Sequence, residues 1–141
     1  MQSRQIWVVT ALQMLAFGFL VWGLFKWPTP WNAQRYVGTA LVAAGISGIA
    51  LARYQLGRSF SIKAEAHALV TTGVYSKIRN PIYVFGTVMI TGLVLVLQRP
   101  ILWVFVVILV IGQTLRARRE ARVLEAAFGD AYREYRRTTW F

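Results

Sequence analysis

The chain has no cysteine, only one histidine and very few acidic residues. The first absence excludes disulfides, thiolate zinc sites and cysteine nucleophiles. With His67 alone, no histidine cluster can hold a metal, and none is expected. Charge of any kind is scarce at 15% of residues, against roughly 25% in soluble domains. The charge present is lopsided, with 16 Lys+Arg, 5 Asp+Glu and a net of +11. Such a balance can mark a nucleic-acid binder. Here, however, the bases flank apolar runs and form no patch on a polar domain, so anionic lipid headgroups are the better partner and nucleic acid is not expected.

What fills the chain is apolar: 57% of its 141 residues are hydrophobic. That length suits a single domain, 1–141. A small core cannot hide so much apolar surface, so lipid must cover part of it. Charges punctuate four uncharged runs, which predict spans at about 5–26, 35–53, 81–98 and 100–116. The first run, at 1.5 Å per residue, measures roughly 32 Å, enough to cross a bilayer core. Backbone groups in lipid must pair internally, so each run is expected to be helical. The first is read as an uncleaved span. It is too long for a signal peptide, and no small-residue cleavage site precedes Trp27-Pro28. Trp22, Trp27 and Trp31 suit interfacial depth. Only Gln98-Arg99-Pro100 separates the last two runs, which predicts a tight helical hairpin. Ala40, Ala44, Gly48 and Ala52, four residues apart, predict a close helix contact on the second span.

Four spans place both termini on one side. All five acids and all but three of the bases (Lys26, Arg35 and Arg99) fall there, and the positive-inside rule makes that side cytoplasmic. The segment 116–137 reads as an amphipathic helix on the headgroups, with Glu120, Leu124, Phe128, Ala131 and Tyr135 on one face. Gly129 is a helix break, and Asp130 is placed to cap a short helix after it. The expected fold is therefore an all-α integral membrane protein with about four transmembrane helices, a long cytoplasmic loop at 54–80 and an amphipathic C-terminal helix.

Chemistry has one place to go. Long ordered loops are usually functional, and this one ends in Arg79-Asn80-Pro81 at the mouth of the third span. Pro81 suits a first helical turn. The helix N-terminus with Arg79 beside it favours an anionic group such as a carboxylate. Tyr75 and Tyr83 flank it, placed to pack against an aromatic ring, although interfacial anchoring also brings Tyr and Arg to this depth. Arg116 and Glu120, four apart, form a helix-surface pair, and snorkelling alone would place Arg116 at a span end.

The stretch His67-Ala68-Leu69-Val70, then Gly73-Val74-Tyr75, then Arg79-Asn80-Pro81-Ile82-Tyr83, resembles the cofactor loop of isoprenylcysteine carboxyl methyltransferases and the related membrane phospholipid methyltransferases. Arg116-x-x-x-Glu120, followed by Leu124, Phe128-Gly129, Tyr132 and Tyr135, resembles that family's closing helix. Together the two matches cover about residues 55 to 137, and the short chain is similar to the prokaryotic members. The resemblance implies a bacterial or archaeal inner-membrane enzyme with S-adenosylmethionine as methyl donor. It implies that His67, Ala68, Leu69, Val70, Tyr75, Asn80, Pro81, Ile82, Tyr83 and Glu120 hold the cofactor. It also implies that Arg116 orients a lipophilic acceptor drawn from the bilayer. The chain departs from the pattern at Asn80, where His is usual, at Phe85, one residue before Gly86, and at Ala121, where a second acid is common.

Methyl transfer suits this composition, because displacement at a carbon with a good leaving group needs positioning and electrostatics more than acid–base side chains. Arg116 would attract a carboxylate and repel an amine, which favours a carboxyl acceptor. Two other classes compete: a sterol-reductase type of membrane enzyme using a nicotinamide dinucleotide, and a small non-enzymatic scaffold. The acceptor and the oligomeric state are not legible in the residues.

Overall fold

In the computed structural model, residues 15, 18, 19, 22, 23, 26–56 and 69–141 are described. The expected first span at 5–26 lies almost wholly outside the described residues, as do His67 and Ala68. Every regular element among the described residues is helical: α1 (Ala33–Leu56), α2 (Pro81–Leu97), α3 (Trp103–Phe128) and α4 (Asp130–Thr138), with short 3-10 turns at Gly73–Ser76 and Pro100–Leu102. Local chemistry sets their ends. Asn32 Oδ1 accepts the Arg35 amide at 3.0 Å, so one of the unpaired donors of the first turn of α1 is satisfied. Pro81 opens α2 at a position that needs no amide donor. Gln98 closes it in the left-handed conformation, φ 53, which turns the chain sharply into Arg99-Pro100.

Two stretches, Ala33–Leu56 and Pro100–Phe128, are long and apolar enough to cross a membrane, and α2 is a shorter apolar helix of 17 residues. The outward side of α3 carries Phe105, Ile108, Ile111 and Leu115, all exposed. A continuous apolar face of this kind is costly in water and is natural against lipid tails.

α1 and α2 form the core pair, running antiparallel in close contact. The contact face of α1 is not the four-residue stripe read from the sequence. Gly48 and Ala52 are buried, but Ala40 and Ala44 are exposed. The buried face runs Gly38, Val42, Gly45, Gly48 and Ala52, a mixture of three- and four-residue steps that keeps to one side of a 3.6-residue helix. Glycine lets the backbones meet there. A Cβ on Gly92 would stand 2.6 Å from the Gly38 carbonyl oxygen, and one on Gly38 would stand 2.7 Å from that of Gly92. The same device lets helices associate in lipid, where van der Waals contact replaces the hydrophobic effect.

α2 and α3 form the expected hairpin, tied by side-chain hydrogen bonds at two levels. Its second arm differs from expectation. No boundary falls at Arg116, and α3 continues without a break from the apolar run through the charged segment to Phe128. Arg, Glu, Ala and Leu are all good helix formers, so the change from apolar to basic alters the solvent and not the backbone. The break comes at Gly129, φ 51, as the sequence suggests. Gly129 itself is the N-cap of α4, and Asp130 sits inside the first turn, where it pairs with Arg133 at 2.8 Å.

The end of the bundle opposite the charged segment is closed by backbone and amide groups. Arg35 is 1% exposed. It donates to the carbonyls of Trp27 and Thr29 and lies over the Trp31 ring at 4.1 Å. Gln98 Nε2 donates to the Pro30 carbonyl at 3.1 Å. Arg35, which the sequence offers as a loop charge, is a structural clamp on the 26–32 turn.

Candidate functional site

Four carboxylates are found among the described residues, and three of them, Glu125, Asp130 and Glu134, pair with arginines on the exposed side of α3 and α4. Glu120 is different because it faces α2. The Tyr83 hydroxyl donates to its Oε1 at 2.6 Å, and Arg116 Nε donates to the same oxygen at 3.0 Å. The Arg116 guanidinium carbon lies 5.9 Å from the Tyr83 ring centre. Two donors, one from each helix, therefore converge on one oxygen. Among the described residues Oε2 accepts no hydrogen bond. The Glu120 side chain is 30% exposed and that of Arg116 61%, so the pair is worth only about 0.3–0.5 kcal/mol to the fold. Its larger effect is to fix where the carboxylate points.

Tyr83 lies in the first turn of α2. The Asn80 carbonyl accepts the amides of Tyr83 and Val84, at 3.0 and 3.1 Å. The Asn80 side chain is half-buried and takes no hydrogen bond among the described residues. Pro81 is fully buried, and Ile82 and Tyr83 are half-buried. Leu69 and Val70 lie half-buried in irregular chain leading to the Gly73–Ser76 turn. Gln55 at the end of α1 steadies that turn, its Oε1 accepting the Val74 amide at 2.7 Å.

A contact that sequence reasoning missed closes the site from the other side. The Tyr135 hydroxyl on α4 donates to the Tyr75 carbonyl at 2.7 Å, with both residues buried. Beyond α4, Trp140 makes a parallel bridge to Ile78. The Trp140 amide donates to the Lys77 carbonyl at 2.7 Å, the Arg79 amide to the Trp140 carbonyl at 3.0 Å, and the Asn80 amide to the Phe141 backbone oxygen at 3.0 Å. Two amides that the sequence offers to an anionic ligand are thus engaged by the chain itself. Arg79 also points elsewhere than expected. Its guanidinium acts on Tyr132 and Tyr135, drawing their hydroxyl pKa values down against the larger upward push of burial.

The structure thus brings Tyr75, Arg79, Asn80, Pro81, Ile82, Tyr83, Arg116 and Glu120 into one region bounded by the mouth of α2, the middle of α3 and α4. Leu69 and Val70 lead into it, while His67 and Ala68 fall outside the described residues. Thr87 and Gln113, hydrogen-bonded at 2.8 Å one level deeper in the hairpin, were not singled out in the sequence. Their signal was present, since Thr87 follows Tyr83 by four residues and Gln113 precedes Glu120 by seven.

A family model described as phospholipid methyltransferase matches residues 33–131, from the start of α1 to the first turn of α4. No curated protein matches the chain.

Proposed function

The chain belongs to the phospholipid methyltransferase family, and on that premise we propose that it transfers a methyl group from S-adenosylmethionine to a lipophilic acceptor held in the membrane. The observation that carries this reading is Glu120, whose Oε1 is fixed by Tyr83 and Arg116 while Oε2 is left open.

The residues suit the donor. It carries an ammonium, a carboxylate, hydroxyls and a sulfonium. Oε2 of Glu120 can accept from the ammonium or a hydroxyl, and the uncommitted Asn80 carboxamide can both donate and accept. The α2 N-terminus supplies a positive end, although the Arg79 and Asn80 amides would have to leave Trp140 and Phe141 to bind a carboxylate directly. When bound, the donor supplies an electrophilic methyl carbon with a good leaving group. The protein needs no base of unusual strength for such a transfer, and its work is to align two reactants and exclude water.

Arg116 uses Nε for Glu120, and among the described residues its two terminal nitrogens make no hydrogen bond. Those nitrogens suit a carboxylate in two-point contact, which favours a carboxyl acceptor of the isoprenylcysteine type. The family's description names a phospholipid, and a headgroup amine is the alternative acceptor. The test is to incubate purified protein with methyl-labelled S-adenosylmethionine and a membrane lipid extract, then treat the labelled lipid with base. A carboxyl acceptor yields a methyl ester that base releases, and an amine yields a base-stable methyl group. Absence of labelled lipid would contradict the reading. The proposed setting is a bacterial or archaeal inner membrane with Glu120 on the cytoplasmic side.

A further inference from the structure

Two polar rungs cross the α2–α3 hairpin. The upper one is Tyr83–Glu120. The lower one joins Thr87 on α2 to Gln113 on α3 at 2.8 Å. Gln113, Ala117, Glu120 and Leu124 are spaced four, three and four residues apart, which keeps them on one face of α3. Gln113 therefore lies two turns below Glu120, about 10 Å along the helix at 1.5 Å per residue. It sits at the end of the apolar run of a helix able to cross a membrane. A carboxamide at that depth needs partners, because lipid offers none.

The count of protons shows what is left over. The Thr87 hydroxyl has one hydrogen and two acceptors in reach, the Tyr83 carbonyl at 3.0 Å and Gln113 Oε1 at 2.8 Å. The Tyr83 carbonyl already receives the Thr87 amide in the helix ladder. That carbonyl keeps a second lone pair, so the hydroxyl proton has both oxygens in reach, and Gln113 Oε1, at the shorter distance, is the partner that crosses the hairpin. The two N–H donors on Gln113 Nε2 have no acceptor among the described residues. They face Gly86, where an added Cβ would stand 3.5 Å from Nε2. α2 packs tightly on α1 and only loosely on α3, and Gly86 adds no side chain to the gap between them.

We propose that Gln113 is a specificity-determining residue, whose carboxamide donates to a hydrogen-bond-accepting oxygen on the acceptor about 10 Å from the atom that is methylated. The inference rests on the methyl-transfer reading and deepens it. With the reactive end at Arg116 and Glu120, the acceptor's chain runs down the hairpin past Gly86. An oxygen about eight bonds from the reactive group, at roughly 1.2 Å per extended bond, reaches the lower rung. Thr87, by holding Gln113 Oε1, leaves the Gln113 donors facing Gly86.

The test uses two acids: hexadecanoic acid, and the same acid with one keto oxygen about eight bonds from the carboxyl. Binding of each to the purified protein is measured by calorimetry without a methyl donor, for the wild type, Gln113→Leu and the closer-shaped Gln113→Met. The wild type is expected to bind the keto acid about tenfold more tightly, the value of one net hydrogen bond. Both variants are expected to bind the two acids within about twofold of each other, as expected once that one bond is lost. The Met variant carries the test if the Leu variant does not fold. Equal binding by the wild type, or a preference that survives in the variants, overturns the role of Gln113 and leaves the reaction untouched. In parallel, labelled methyl transfer to both acids is followed. If neither acid is methylated while the preference stands, the reaction fails, and the claim that this is an acceptor contact falls with it.

Discussion

Tyr83 and Arg116 donate to the same oxygen of Glu120, so the direction of that carboxylate is set by both helices of the hairpin. Removing the Tyr83 hydroxyl leaves Arg116 as the remaining tie, and that tie lies within α3. Tyr83→Phe should therefore keep the fold and lower the affinity for S-adenosylmethionine about tenfold, roughly 1.4 kcal/mol, as read by titration calorimetry. Unchanged affinity would mean that the Tyr83 bond orients nothing that matters. At this scale the sequence was informative where side chains carry charge or aromatic rings at helical spacing, as at Tyr83, Arg116 and Glu120. It was silent on partners that are backbone atoms. Nothing in Trp140 or Phe141 signals that their main-chain oxygens meet Arg79 and Asn80.

The elements were legible in outline and less so in their contacts. Apolar runs gave α1, α2 and the first part of α3, but the onset of charge at Arg116 marks a change of surroundings within a continuous helix. Small residues on α1 were visible, yet only the structure selects Gly38, Gly45 and Gly48 over Ala40 and Ala44, because helix rotation is fixed by the partner. The resemblance put Tyr135 in a closing helix but did not give its partner on the loop, and that docking makes a prediction about pH. Burial is the main force that pushes the Tyr75 hydroxyl up from 10.0 to about 12, with Tyr135 adding to it. Burial likewise raises Tyr135 from 10.0 to about 12, with Tyr132 adding and Arg79 opposing. Both folded values lie above the unfolded one, so the neutral form is favoured by the fold. The contribution is complete below about pH 10 and is lost as the pH rises to about 12. A tyrosinate absorbance titration should show a late step near pH 12 that shrinks in Tyr135→Phe. Titration of every tyrosine near pH 10 would contradict the docking.

In the proposed topology, Glu120 and Arg116 lie on the basic side of the membrane and the Trp27–Asn32 turn with Arg99 on the other. Two helices able to cross and a family of membrane methyltransferases support a membrane protein, and the side facing the cytoplasm rests on the positive-inside rule. The absence of native cysteine makes the orientation easy to measure. In intact cells, Arg99→Cys should react with a membrane-impermeant maleimide, and Arg137→Cys should react only after permeabilisation. Equal labelling of both from outside would overturn the orientation. The proposed orientation rests on the charge distribution, because exposed charges govern topology. The packing of α1 on α2 was less legible because lipid-facing and helix-facing residues are equally apolar.

Direct binding tests the proposed methyl-donor site organised by Glu120. Titration of S-adenosylmethionine into the purified wild-type protein should give saturable binding, and Glu120→Ala should weaken it at least tenfold, about 1.4 kcal/mol or more. No binding to the wild type, or equal affinity in the two proteins, would contradict the account.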